Sequence, residues 1–369
     1  MDALDLTGAG RGEVVRLVQE AVAAQRAVVV PTSGSSGPPK RVLLSMSALK
    51  ASAESTLSFL GGPGQWLAAL SPRHIGGLQV YLRSAVSGIP PATLEDDGPF
   101  GAGSFTAAVA AMRPGTRHYA ALVPTQVHRL LAEPAGREAL ASLDRVLIGG
   151  APLPAASVAA LDRAGVRWTH TYGMTETAGG CVYDGVPLPG VAVRLEQGPA
   201  GGRILLSGPI LAQGYLQDPV ATAEAFVTEA GVRWYRTSDL GRYDEVRRRW
   251  KILGRVDEVI NTGGHKVHPD DVSSALCAME PVVDAAVVAL PDPQWGERVV
   301  AMLVPAAGGP PVEALTRPTG WVRSRLRETL PRYALPTQVR WSDTLPRLAS
   351  GKVDHAGVRA AFTQEGERL

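Results

Sequence analysis

Five short stretches of the chain concentrate the residue types that can do chemistry. In Thr32-Ser33-Gly34-Ser35-Ser36-Gly37-Pro38-Pro39-Lys40, hydroxyls and glycine amides can surround phosphate oxygens while Lys40 adds a point charge. The spacing is not the G-x-x-x-x-G-K-[ST] of a Walker loop. A flexible serine–glycine linker is the plain alternative, disfavoured by the apolar run before it and the lysine after it. In Thr171-Tyr172-Gly173-Met174-Thr175-Glu176-Thr177, Glu176 is a hard oxygen ligand suited to magnesium, and Tyr172 offers a face to a purine. Alone, that stretch reads better as a turn with a surface glutamate. In Tyr235-Arg236-Thr237-Ser238-Asp239-Leu240-Gly241, Asp239 can accept from both hydroxyls of a ribose, an Asx-turn being equally good in isolation. Gly254-Arg255-Val256-Asp257-Glu258 runs into Asn261-Thr262-Gly263-Gly264-His265-Lys266 where composition changes, as a hinge requires. The fifth stretch, Leu345 to Asp354, carries Gly351-Lys352, a pair uninformative by itself.

These residues need elements to position them. Residues 27 to 31 (AVVVP) have a buried-strand pattern, followed by the glycine loop and a helix-like stretch from Ser47 to Leu60: strand, loop, helix. Gly8-Ala9-Gly10-Arg11-Gly12 follows no strand and reads as a plain loop. Short apolar strands at 66 to 70, 119 to 123 and 145 to 148, with helical stretches between, predict an α/β sheet with crossover connections and ligands at its strand ends. From 190 to 253 the texture becomes β-rich. An α+β pattern then follows: helix 269 to 279, strands 283 to 290 and 297 to 304, helix 319 to 330, strand 337 to 342 and a helix from 356. The expected fold class is therefore α/β. A large N-terminal domain with a β-rich subdomain spans 1–253, a hinge spans 254–258, and a small mobile α+β domain spans 259–369.

Composition agrees with an ordered protein of about two to three domains. Of 369 residues, 45% are hydrophobic and 20% charged, and no apolar run approaches the ~20 residues of a bilayer span, so membrane insertion is not expected. The net charge of +2 advertises no nucleic-acid partner. Cys181 and Cys277 alone build neither a disulfide framework nor a zinc site, and the early acids without an apolar h-region make a cytoplasmic enzyme the expectation.

Taken as an ordered set over about residues 27 to 358, the motifs resemble the adenylate-forming superfamily of acyl-CoA synthetases, luciferases and peptide-synthetase adenylation domains. Within it, RHIGGLQVYLRS, LIGGAPLP and TYGMTETAGGCVYDGVPLPGV are most similar to the o-succinylbenzoate-CoA ligases of menaquinone synthesis in their short actinobacterial form. The resemblance implies two half-reactions on ATP, magnesium and CoA: a carboxylate displaces pyrophosphate from ATP, then the CoA thiol displaces AMP. It implies that Thr32, Ser33, Gly34, Ser36, Gly37 and Lys40 handle the β,γ-phosphates. Gly149, Gly150, Ala151, Tyr172 and Gly173 would line the nucleotide, Thr175 the α-phosphate, and Glu176 the metal. Asp239 and Arg255 would hold the ribose, Lys352 would serve adenylation, and Asp257 would be the pivot that brings Gly263 and Gly264 beside the pantetheine channel. Homo-oligomerisation is left open.

On the acyl side, the resemblance makes His74 a gate, with a satisfied structural histidine as the alternative. Gly76, Gln79 and Arg83 share one stripe of an apolar helix over 75 to 88. Arg83 facing the pocket would pair with the second carboxylate of o-succinylbenzoate; facing outward it would be a solvated arginine. His265 and His268 read as loop residues rather than metal ligands, and Arg247-Arg248-Arg249 as a solvated edge. Departures from the family are the short stretch of about 31 residues before the phosphate loop, Arg41 after Lys40, and His265-Lys266 where Glu-Asn is common. A CoA ligase for another aryl or fatty acid, an adenylation enzyme loading a carrier protein, and a non-catalytic nucleotide-binding protein are the alternatives.

Overall fold

The computed structural model describes residues 3–5, 11–32, 39–94, 100–197, 202–306, 308–348 and 352–363. In the first sheet, the strand Ala27–Pro31 lies parallel to Ala3–Asp5 and antiparallel to Arg41–Leu44, which in turn pairs with Gly214–Tyr215. The glycine loop therefore joins two strands before the chain enters the helix Met46–Phe59, a correction to strand, loop, helix. The extra strand, RVLL, is only four residues long, too short for its alternation of half-buried and buried positions to announce itself. Ser45 caps the following helix by accepting from Ala48 N at 3.1 Å. The helix Arg11–Ala24 is a second element beyond the sequence expectations; Val18 and Ala21 bury its inner face.

The second sheet carries the strands Ala92–Thr93, Gln65–Ala68, His118–Leu122, Arg145–Gly149 and Trp168–Met174 in parallel, then Gly179–Tyr183 and Val186–Pro187 antiparallel at the edge. Alternation decides its packing. Trp66, Ala68, Tyr119, Ala121 and Leu147 face the helices Met46–Phe59 and Ile75–Ser87, whereas Leu67, Ala120, Leu122, Val146 and Ile148 face the helices containing Phe105, Leu130, Leu140 and Leu161. Each large side chain fully removed from water stabilises this sandwich by about 2 kcal/mol. Helices on both faces leave the carboxyl ends of the strands as the open edge, where Gly149 stands opposite Thr171.

A third, antiparallel sheet contains Ala192–Glu196, Gly202–Ser207, Phe226–Glu229, Val232–Asp244 and Arg249–Arg255. Its register sets Asp239 directly across from Arg255. After the single turn of 3-10 helix Val256–Glu258, a fourth sheet is built from Ile260–Thr262, His265–Val267, Val282–Asp292, Gly296–Pro305 and Gln338–Trp341. It has apolar clusters on both faces: Leu276, Trp321 and Leu326 on one, Val358 and Phe362 on the other. Among the described residues no helix is long and apolar enough to cross a membrane.

Candidate active site

The open edge of the second sheet collects residues from distant parts of the chain. Gly149 ends its strand, with Gly150 and Ala151 following, and Tyr172, Gly173, Thr175 and Glu176 come from the neighbouring strand and the turn Thr175–Thr177. Gly173 is required sterically, because a Cβ there would lie 2.2 Å from the carbonyl oxygen of Gly179. Thr175 and Glu176 are buried.

Tyr172 donates its hydroxyl to Asp239 Oδ2 at 2.7 Å. Asp239 also lies 3.9 Å from Arg255 Nη1, and Arg255 grips Asp257 bidentately at 2.9 and 3.0 Å. Burial lifts the Asp239 carboxyl above its ordinary range, while Tyr172, Arg255 and Lys352 oppose it. For Arg255, burial disfavours the charge, but Asp257, Asp239 and Glu258 hold it above the usual value.

Lys352 is coupled to this group electrostatically. Leu348 N donates to Lys352 O at 2.9 Å and Arg347 bridges Val353, which anchors the backbone of the lysine. Burial, then Arg255, depresses its ammonium, and Asp239, Glu258 and Glu176 pull it back up. Lys352 in turn adds to the burial and the Arg73 charge that lower the His74 imidazole. His74 is extended, at φ −108°, immediately before the helix Ile75–Ser87. One lysine is thus coupled electrostatically to Asp239, Glu258 and Glu176 and to His74.

At the phosphate end, Thr32 N donates to Lys40 O at 2.8 Å and Lys40 N donates to Thr32 Oγ1 at 3.0 Å, pinning the stem of the glycine loop. Ser33, Gly34, Ser36 and Gly37 lie outside the described residues. Glu176 is 6% exposed, and its Oε1 accepts from the Tyr215 hydroxyl at 2.9 Å.

The acyl-side stripe behaves differently from expectation at one position. The Gln79 amide nitrogen is committed to Leu49 O at 3.1 Å and Ala178 O at 2.7 Å, tying two backbone segments together; only its Oε1, buried and unpartnered, remains for a ligand. Gln79 thus serves as a structural tie through its amide nitrogen, and its expected contact with substrate falls to Oε1 alone. Arg83 is not a solvated helix-face residue either, being 4% exposed with its guanidinium 4.8 Å from the Trp66 ring centre. Its Nε has no hydrogen-bond partner, and among the described residues it makes no ion pair.

Gly263 and Gly264 form the two-residue turn of a hairpin, with φ of +56° and +82°. Their contacts and those of His265 go to Trp295 and Tyr333 rather than to the charged cluster: Gly263 N donates to Trp295 O at 2.9 Å, and the His265 ring stacks on Tyr333 at 4.1 Å. Sequence reasoning missed Tyr215, Glu258, His355 and Asp270. Glu258 Oε1, in the 3-10 turn, lies 3.3 Å from His355 Nδ1 on the last helix, a contact no local pattern encodes.

The AMP-binding enzyme family matches residues 6–216, and its C-terminal domain matches residues 271–352. The chain is an AMP-binding enzyme. It is similar to a probable 2-succinylbenzoate–CoA ligase of Mycobacterium tuberculosis, 43% identical over 93% of this chain and 86% of the relative. Among solved structures it resembles the o-succinylbenzoate CoA synthetase of Bacillus subtilis bound to its acyl-adenylate intermediate, with TM-score 0.74 and 25% identity over 90% of this chain and 68% of the other. The same Bacillus protein with ATP and a magnesium ion gives TM-score 0.74 and 26% identity over 90% and 69%.

Magnesium suits the donors this AMP-binding enzyme presents. Among the described residues no cluster of three His, Cys, Asp or Glu exists, and the hydrogen bond from Tyr215 goes to Oε1 of Glu176. A single carboxylate fits an ion held jointly with substrate phosphates, not one enclosed by a protein cage.

Proposed function

We propose that the protein is an ATP-dependent 2-succinylbenzoate–CoA ligase. The observation that carries the substrate is Arg83: it is a buried guanidinium with no carboxylate partner among the described residues, and an acid with a second carboxylate supplies such a charge on binding. The similarity to the mycobacterial relative supports the same reading.

In the first half-reaction a substrate carboxylate oxygen attacks the α-phosphorus of ATP and pyrophosphate leaves. Lys352, which feels the charges of Arg255, Asp239, Glu258 and Glu176, brings an ammonium to offset the charge that develops there. Magnesium at Glu176, when bound, neutralises phosphate charge. Thr32 and Lys40 with the glycine loop hold the β,γ-phosphates; Thr175 meets the α-phosphate; Gly149, Gly150, Ala151, Tyr172 and Gly173 line the nucleoside; Asp239 and Arg255 take the ribose. His74 borders the acyl group.

In the second half-reaction the CoA sulfur attacks the acyl carbon and AMP leaves. Residues 1–253 and 259–369 then act as two domains pivoting through 254–258 at Asp257, so that Lys352 withdraws and the Gly263–Gly264 turn approaches the pantetheine arm. The enzyme works in the cytoplasm on small-molecule substrates.

Arg83→Met tests the substrate reading. Its kcat/KM for 2-succinylbenzoate is expected to fall by about 100-fold, roughly the loss of one buried charge pair, with benzoate turnover unchanged. Equal losses on both acids, or none on either, contradict it.

A further inference from the structure

Tyr215 touches both charged groups that the phosphate end offers, although they come from different sheets. It lies on the two-residue strand Gly214–Tyr215, which pairs with Arg41–Leu44 so that Tyr215 stands opposite Val42, two residues past Lys40. This register puts the Lys40 ammonium 4.5 Å above the centre of the Tyr215 ring. The hydroxyl of the same ring donates to Glu176 Oε1 at 2.9 Å. The ring is itself held firmly: it is 8% exposed, packs edge-on against Phe226 at 6.0 Å, and its backbone N donates to Thr222 Oγ1 at 2.9 Å.

A lysine and a glutamate this close to one phenyl ring are natural partners for each other. Were they to meet, each would satisfy the other and neither would be available to a triphosphate or its metal. The ring gives each a weaker substitute, a π face for the ammonium and a hydroxyl for one carboxylate oxygen.

We propose that Tyr215 is a positioning residue that holds Lys40 and Glu176 apart, presetting the spacing between the cation that binds the outer phosphates of ATP and the carboxylate that binds magnesium. The assignment rests on the function proposed above, and its two halves separate by substitution. Tyr215→Phe keeps the ring under Lys40 and removes the donor to Glu176; Tyr215→Leu removes both.

Calorimetric binding of ATP to the full chain, with EDTA and with excess magnesium, reads each half. In Tyr215→Phe, ATP affinity in EDTA is expected to match wild type, while the gain in affinity on adding magnesium shrinks about tenfold. In Tyr215→Leu the affinity in EDTA is expected to fall as well. AMP lacks the outer phosphates, so its affinity should stay within about twofold in both variants, which a general loss of structure would not allow. An undiminished magnesium gain in Tyr215→Phe, or parallel losses for ATP and AMP in both variants, overturns the assignment alone. A wild-type protein without magnesium-linked ATP binding overturns the functional reading and this assignment with it.

Discussion

The Tyr172 hydroxyl donates to Asp239 Oδ2 at 2.7 Å across 67 residues of chain. It fastens the open edge of the second sheet to the middle of the long strand Val232–Asp244 in the third, and it leaves Oδ1 of Asp239 facing Arg255 at 3.9 Å. Two motifs that mean little separately are thereby joined, as the proposed nucleotide site requires.

Removing that donor should be felt through the nucleotide. Tyr172→Phe is expected to raise the KM for ATP about fivefold to tenfold, the size of one hydrogen bond to a charged group. The effect should grow as pH falls. Burial already lifts the Asp239 carboxyl, and the Tyr172 bond works against that lift, so without it Asp239 takes up its proton at higher pH. The KM for ATP across pH 5 to 8, measured for both proteins, checks this; parallel profiles would contradict it.

Lys352 should give adenylation an alkaline limb. Its ammonium is depressed first by burial and then by Arg255, and only the protonated form offsets phosphate charge, so single-turnover adenylation should decline at a pH below the ordinary lysine range. Lys352→Ala should slow adenylation at least about 100-fold while sparing thioester formation from a supplied acyl-adenylate. Lys352→Arg, whose charge does not titrate, should lose the alkaline limb whatever its rate.

Asp257→Pro should do the reverse of Lys352→Ala. Proline fixes φ near −65°, which a 3-10 turn accepts, and it deletes the carboxylate that Arg255 grips. Pyrophosphate release is expected to persist and thioester formation from supplied adenylate to fall. Rapid-quench measurement of the two half-reactions distinguishes this from a uniform loss.

Asp270 should tie stability to pH at the junction of the sheets. It faces Gly254, and burial, aided by Glu258, Asp271 and Asp239 and opposed by His355, pushes its carboxyl up to about 6. The folded chain thus holds a proton that the unfolded chain releases near pH ~4. Its stabilising effect is complete below that value and is lost as pH rises through about 6. Asp270→Asn should flatten the fall in unfolding midpoint between pH 4 and 7, measured by scanning calorimetry; an unchanged slope would contradict the assignment.

The sequence carries the parallel sheet and its ligand edge because short apolar runs such as 119 to 123 and 145 to 148, separated by helical stretches, leave few other arrangements. It carries the fourth-sheet unit for the same reason. The strand Arg41–Leu44 escapes because four residues hold too little periodicity, and the pair Gly214–Tyr215 holds none. Arg83 shows a subtler limit. Its spacing from Gln79 defines a shared stripe, but only packing against Trp66 decides that the stripe faces inward, and only the backbone carbonyls of Leu49 and Ala178 decide that Gln79 is occupied. Tyr215 and Glu258 matter through partners far away in the chain, which residue types alone do not encode.

The most direct test of the proposed function is pyrophosphate release with ATP, magnesium and CoA across 2-succinylbenzoate, benzoate, hexanoate and palmitate, each thioester identified by mass. A preference for 2-succinylbenzoate of about 100-fold in kcat/KM, together with formation of its CoA thioester, is the expected result. Equal or faster turnover of benzoate, hexanoate or palmitate would contradict the role given to Arg83 and with it the proposed substrate.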